Sequence, residues 1–118
     1  EKVDLIKKAN EEIIVESIDV LESIEKSLNL TSEIKIEKTF IEGLKLTYDN
    51  LKKILEKNGL SKIITKDQMF DPYIHEAILV ETKKNIEDDI ILEEFQTGYK
   101  IYDKVVRFSK VKVGKKEL

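Results

Sequence analysis

The spacing of the apolar residues changes once along the chain, around residues 59–62, and that change constrains the fold more than any single motif. Before it, apolar side chains recur every three or four positions, the repeat of one face of an α-helix. After it, they gather in short runs rich in Ile, Val, Leu, Phe and Tyr, bounded by turn-formers, as strands do. No Gly/Ser linker, internal repeat or low-complexity tract accompanies the change, so 118 residues suit one compact domain or a helical half and a strand half joined directly.

Over residues 1 to about 30, Ile6, Ile13, Ile14, Ser17, Ile18, Leu21, Ile24 and Leu28 keep the helical spacing, with Lys and Glu on the opposite face. The stripe is wide, because Ile13 and Ile14 and then Val20 and Leu21 are adjacent apolar pairs, and it suits more than one neighbouring helix. Asn29, Leu30, Thr31 and Ser32 break the pattern with two possible N-caps. A second helix follows through Ile36, Phe40, Leu44, Tyr48, Leu51 and Leu55 and stops at Lys57, Asn58 and Gly59, a cation in the last turn before a residue tolerant of positive φ. Two such helices cannot bury their apolar faces against each other alone. The economical expectation is a homodimer forming a four-helix bundle, with Ile14, Ile18, Leu21, Leu28, Phe40, Leu44 and Leu51 at its interface; the alternative is docking on the C-terminal half. Gly43 interrupts the second helix at a cost of about 1 kcal/mol relative to alanine. Close helix packing is the plain explanation, and approach of a partner to the backbone is the sharper one.

In the second half, residues 63–65, 76–82, 89–95 and a long stretch over 100–113 predict four to six short strands. Residues 83–89 make a charged connector and 96–98 a short turn. Val106 and Phe108 share one parity while Val111 and Val113 share the other, which predicts a bulge or a change of sheet face around Ser109. The expected class is therefore α+β, with a helical hairpin over residues 1–59 and an all-β domain over 60–118.

Composition removes several functions. Charged residues make up 38% of the chain and apolar ones 41%, as in a folded water-borne domain, and no apolar run approaches the roughly 20 residues of a membrane span. The formal charge is −3 with lysines scattered among acids, so neither nucleic acid nor an anionic membrane is an expected partner. Without cysteine there is no disulfide, thiolate nucleophile or Cys-type zinc site, a composition compatible with a reducing compartment. The chain opens at Glu1 without methionine and without a signal-peptide core, and is read as a fragment. Lys115, Lys116, Glu117 and Leu118 fall one residue short of an ER-retention signal and read as a solvated tail.

An enzyme would have to start from Asp71, His75 and Glu76, a histidine beside carboxylates. The rest of a site is missing: one histidine, no Gly-rich phosphate loop and no G-x-S-x-G elbow, so no metal, cofactor or catalytic set is expected. A half-buried, hydrogen-bonded histidine beside a strand is the simpler reading. Asp88 with Asp89 and Glu93 with Glu94 read as solvated charge, since consecutive carboxylates on a strand point to opposite faces. In Phe70, Asp71 and Pro72, proline fixes its own φ and holds Asp71 extended, so an aromatic stands at a stiff corner, turned either to a partner or into its own core. Phe95 at a strand end carries the same two readings.

The run Phe70, Asp71, Pro72, Tyr73, Ile74, His75, Glu76, Ala77, Ile78, followed by Gly98, Tyr99, Lys100, Ile101, Tyr102, Asp103, Lys104, Val105, Val106, Arg107 and then Val111 and Val113, resembles the C-terminal signature of the GrpE family. VLESIEKSL at residues 20–28 and IEGLKLTYDNLKKILEKNGL at 41–60 resemble the family's two bundle-helix motifs, so the likeness covers most of the chain. Ser109 stands where the family usually has alanine, and the long paired N-terminal helix of relatives, with its temperature-sensing and substrate-side roles, lies outside this sequence.

The resemblance implies a homodimer with one β-wing per subunit, acting in the cytoplasm or in an organelle as nucleotide exchange factor of the chaperone DnaK. One wing wedges into the chaperone's ATPase domain, tilts a subdomain and opens the cleft for ADP to leave. Carried over, the partner contacts are Phe70, Pro72 and Phe95 on the wing, Asn29 and Leu30 at the end of the first helix, and Gly43. Asp71, His75, Ala77, Gly98, Tyr99 and Arg107 are then signature residues with structural roles. Two rivals remain: a dimerisation or scaffold module without effect on nucleotide release, and a small hydrolase or isomerase centred on Asp71 and His75.

Overall fold

A computed structural model describes residues 2–118, which divide into two compact units, one ending at Gly59 and the other Leu60–Leu118. The first is a hairpin of α1 (Lys2–Leu30) and α2 (Lys38–Lys57). Its buried side chains are Ile14, Ile18 and Leu21 on α1 and Leu55 on α2. Burying each such side chain contributes about 1.5–3 kcal/mol, more than isolated helix propensity supplies. The Tyr48 hydroxyl donates to Glu25 Oε2 at 3.0 Å and pins the register of the two helices. At the stop, Gly59 adopts φ 98° and its N–H donates to Glu56 O at 3.0 Å, the role expected of it.

The N-cap reading fails in this hairpin. The Thr31 and Ser32 hydroxyls donate backwards, to Leu28 O at 2.6 Å and Asn29 O at 3.0 Å, closing the end of α1. The cap of α2 is Glu37, whose side chain makes no capping bond. Ser and Thr bond equally well to a carbonyl three residues back, and here that alternative wins.

The second unit holds β1 (Leu60–Lys62), β2 (His75–Lys83), β3 (Ile90–Gln96), β4 (Tyr99–Ile101), β5 (Lys104–Arg107) and β6 (Ser109–Lys116). They form two three-stranded sheets in the orders β1-β4-β5 and β2-β6-β3, with β6 parallel to β2 and antiparallel to β3. Ile91, Val111 and Val113 make a buried cluster, with Phe70 packed against it. The chain passes between the sheets three times: over residues 63–74 from β1 to β2, at Thr97 and Gly98 back to β4, and at Phe108 from β5 to β6. The last passage is the change of face anticipated around Ser109.

Two strand boundaries differ from expectation. Residues 63–65 lie outside any strand although Ile63 and Thr65 are buried: the pairing of β1 with β4 ends at Lys62 and Tyr99, and Ile63 keeps one bond, to Gly98 O at 2.9 Å. The long run over 100–113 is broken twice, first by a turn in which Tyr102 takes φ 52° and then at Phe108.

Candidate functional site

The signature turn is organised around one residue. Asp71 N–H donates to His75 Nδ1 at 2.9 Å, Asp71 Oδ1 accepts from Tyr73 N–H at 2.9 Å, and Asp71 O accepts from the N–H groups of Ile74 at 3.1 Å and His75 at 2.8 Å. Pro72 needs no donor there and fixes φ, so the sequence folds into a tight Asx-type turn that leads into β2. His75 is 3% exposed, more deeply buried than the half-buried placement expected. Because Nδ1 accepts a hydrogen bond, the neutral ring carries its proton on Nε2, a buried atom without a partner in the structure. Burial holds the imidazole below its usual pKa, against the opposing pull of the Asp71 and Glu94 carboxylates. Such a ring serves as a post for the turn and has neither the access nor a free basic nitrogen for acid–base chemistry.

Phe70 faces inward. Its ring lies 6.0 Å from the His75 ring at 36°, it packs on the Ile91, Val111 and Val113 cluster, and its N–H donates to Asp89 O at 2.8 Å. Phe70 is half-buried there, at the foot of a stiff corner on which Pro72 and Tyr73 are both exposed. Tyr73 was passed over in the sequence because only its place in the turn, not its residue type, distinguishes it.

Phe95 faces outward. Glu94 pairs with Val111 and Gln96 with Lys110, so Phe95 is an extra residue opposite one step of β6, and this bulge leaves its ring 43% exposed. Phe108, equally exposed, follows at the sheet crossing, where Gln96 Nε2 donates to Phe108 O at 3.4 Å. Gly98 and Tyr99 are buried; Arg107 caps the Tyr99 ring at 5.2 Å and donates from Nε to Thr97 O at 2.9 Å. Ala77 lies on β2 opposite Val111.

The acidic pairs are engaged more than expected. Asp88 Oδ1 accepts from Lys116 N–H at 3.0 Å, and Asp89 Oδ1 accepts from Lys115 Nζ, a bond that raises the lysine pKa. Glu93 pairs with Lys112 at 3.7 Å, while Glu94 accepts from Thr65 at 2.6 Å and Thr97 at 2.8 Å. Among the described residues no cluster of His, Asp or Glu is arranged to hold a metal ion, and no helix is long and apolar enough to cross a membrane.

On the helical unit, Asn29 and Leu30 are exposed at the end of α1. Gly43 is exposed, and a Cβ built there meets nothing within 4 Å, so packing within the chain is not the reason for glycine. Phe40, Gly43, Thr47, Asn50 and Ile54, at helical spacing, form one exposed face of α2. Ile14, Ile18 and Leu21 are 8%, 1% and 2% exposed within a single chain. Leu28, Leu44 and Leu51 are half-buried and Phe40 is 63% exposed. Beside the buried stripe, Ile6, Ile13 and Val20 form a second one, seven residues apart, at 63%, 63% and 55% exposure.

A hairpin of amphipathic helices followed by a two-sheet wing with a clamped DPYIH turn defines a helical-hairpin and β-wing module of the GrpE type. The sequence model of the GrpE family matches residues 1–115, and this chain belongs to that family. It is 43% identical over 116 residues to Protein GrpE of Methanosphaera stadtmanae, covering 98% of this chain and 65% of that one. Against Protein GrpE of Methanobrevibacter smithii it is 40% identical over 113 residues, 96% of this chain and 60% of the other. For Chlamydia trachomatis serovar A the identity is 35% over 116 residues, 98% and 61%. The chain thus spans about three-fifths of the length of the curated relatives it matches.

Proposed function

We propose that this chain is a nucleotide exchange factor that binds the ATPase domain of a DnaK-type chaperone in the cytoplasm and promotes ADP release by holding the nucleotide cleft open. The observation that carries this reading is Phe95, an apolar ring pushed into solvent by a bulge on the wing of a GrpE-family chain. Phe70 and Pro72 at the clamped turn, Asn29 and Leu30 at the end of α1 and Gly43 on α2 complete the proposed contacts. Physically, a factor that prefers the open ATPase domain weakens ADP by the same ratio by which ADP weakens the factor, because coupling free energies are reciprocal. A coupling of about 1–3 kcal/mol corresponds to roughly 5- to 150-fold in affinity. Apolar anchors such as Phe95, ringed by polar residues that exclude water, are the usual source of that preference.

The working form is a homodimer. Its interface draws on Ile6, Ile13 and Val20, the stripe left exposed on α1, and on Ile14, Ile18, Leu21, Leu28, Phe40, Leu44 and Leu51. The wing contacts are tested by binding of Phe95→Ala to the nucleotide-free ATPase domain. Weakened binding with unchanged helical circular dichroism and dimer mass is the expected result; loss of the fold would place Phe95 in the core.

A further inference from the structure

We propose that Tyr73 is a further anchor of the partner interface, displayed by the Asp71 turn as a preorganised aromatic contact; this rests on the exchange reading above. Tyr73 is 83% exposed, nearly twice the exposure of Phe95 at 43%. Four hydrogen bonds converge on Asp71 around it, including the one from its own backbone N–H, and the preceding Pro72 cannot rotate about φ. The turn is held from beneath by buried His75 and flanked by the inward Phe70, so the backbone that carries Tyr73 is tied to the core of the unit on both sides. Holding a large apolar ring in water on a fixed backbone has no folding benefit that these contacts reveal. It does lower the ordering cost of association, since only the two side-chain torsions of Tyr73 remain to be fixed on binding.

The partner chemistry follows from the side chain. A tyrosine offers about 150–250 Å² of ring area and a phenol that both donates and accepts, and it is among the residue types enriched at interface hot spots. The complementary surface is a folded protein with an apolar slot ending in a polar group. On the exchange reading, in which the adjacent Pro72 touches the chaperone, that protein is the chaperone ATPase domain.

The test is the affinity of the nucleotide-free ATPase domain for the wild-type chain, Tyr73→Ala, Tyr73→Phe and, as control, Tyr102→Ala, whose ring is 68% exposed in the turn between β4 and β5. Only a backbone N–H of Tyr73 takes part in the turn, so Tyr73→Ala keeps its urea midpoint and any change in affinity is read directly. The expected result is at least a tenfold loss for Tyr73→Ala, partial recovery in Tyr73→Phe and less than a twofold change for Tyr102→Ala. Wild-type binding with Tyr73→Ala within twofold of it overturns this inference alone. Equal losses for Tyr73→Ala and Tyr102→Ala overturn it as well, by making the effect one of general surface hydrophobicity. Absence of wild-type binding overturns the exchange reading and this inference with it.

Discussion

Gly98 N–H donates to Ser109 Oγ at 3.2 Å where the passage from β3 to β4 lies beside the passage from β5 to β6. A Cβ on Gly98 would stand 2.9 Å from Arg107 O and closer still to Ser109 N and Oγ, so the approach admits only glycine. Gly98→Ala is expected to destabilise the wing by about 1–3 kcal/mol, as overpacking does. Ser109→Ala removes one buried hydrogen bond and is expected to cost about 1 kcal/mol. Urea unfolding of both variants, followed by a wing-specific probe, ranks them; a Gly98→Ala midpoint equal to wild type would refute the close-approach account.

Protonation of His75 works against the fold. The unfolded chain binds that proton near pH 6.5, whereas burial lowers the pKa of the folded ring, so between the two values the unfolded state holds more protons. Stability is therefore full above about pH 6.5 and falls as pH drops through the folded pKa. Protonated Nδ1 would also meet the Asp71 N–H head-on and release the turn. As the chain has a single histidine, its ring resonance gives the titration directly, and a midpoint at or above 6.5 would contradict this reading.

Much of this was legible in the sequence because periodicity reports burial. The Ile14, Ile18 and Leu21 stripe, the Gly59 stop and the α-then-β order all follow from it. What periodicity does not report is which neighbour does the burying: Ile14, Ile18 and Leu21 are already covered within one chain. The same limit misplaced β1: Ile63 and Thr65 are buried like strand residues, yet Thr65 is held by Glu94 and only Ile63 keeps a bond to the neighbouring β4 region. Tyr102 hid a turn because a strand-forming residue type takes positive φ there, and Phe70 and Phe95 looked alike until the bulge turned one outward and the core took the other.

Gly43 separates helix stability from partner binding. With open space around its Cα, Gly43→Ala is expected to stabilise α2 by about 0.5–1 kcal/mol, while a larger Gly43→Glu leaves the hairpin folded. Both are expected to weaken chaperone binding, the larger residue more. Thermal unfolding together with chaperone affinity reads the two effects; lowered hairpin stability in Gly43→Ala would contradict the open-face geometry.

Two neighbouring isoleucines distinguish hairpin from dimer. Ile18→Ala is expected to cost about 2–5 kcal/mol of stability, whereas Ile13→Asn leaves the hairpin seam intact and shifts the mass in solution from dimer toward monomer. Analytical ultracentrifugation checks this, and an unchanged dimer in Ile13→Asn would remove the Ile6, Ile13 and Val20 stripe from the interface.

Release of labelled ADP from a DnaK-type chaperone, chased with excess unlabelled nucleotide, tests the proposed function most directly. Exchange activity predicts faster release that saturates with the concentration of this chain and is lost in Phe95→Ala. An unchanged release rate with the wild-type chain folded and dimeric would contradict it and leave a dimerisation module.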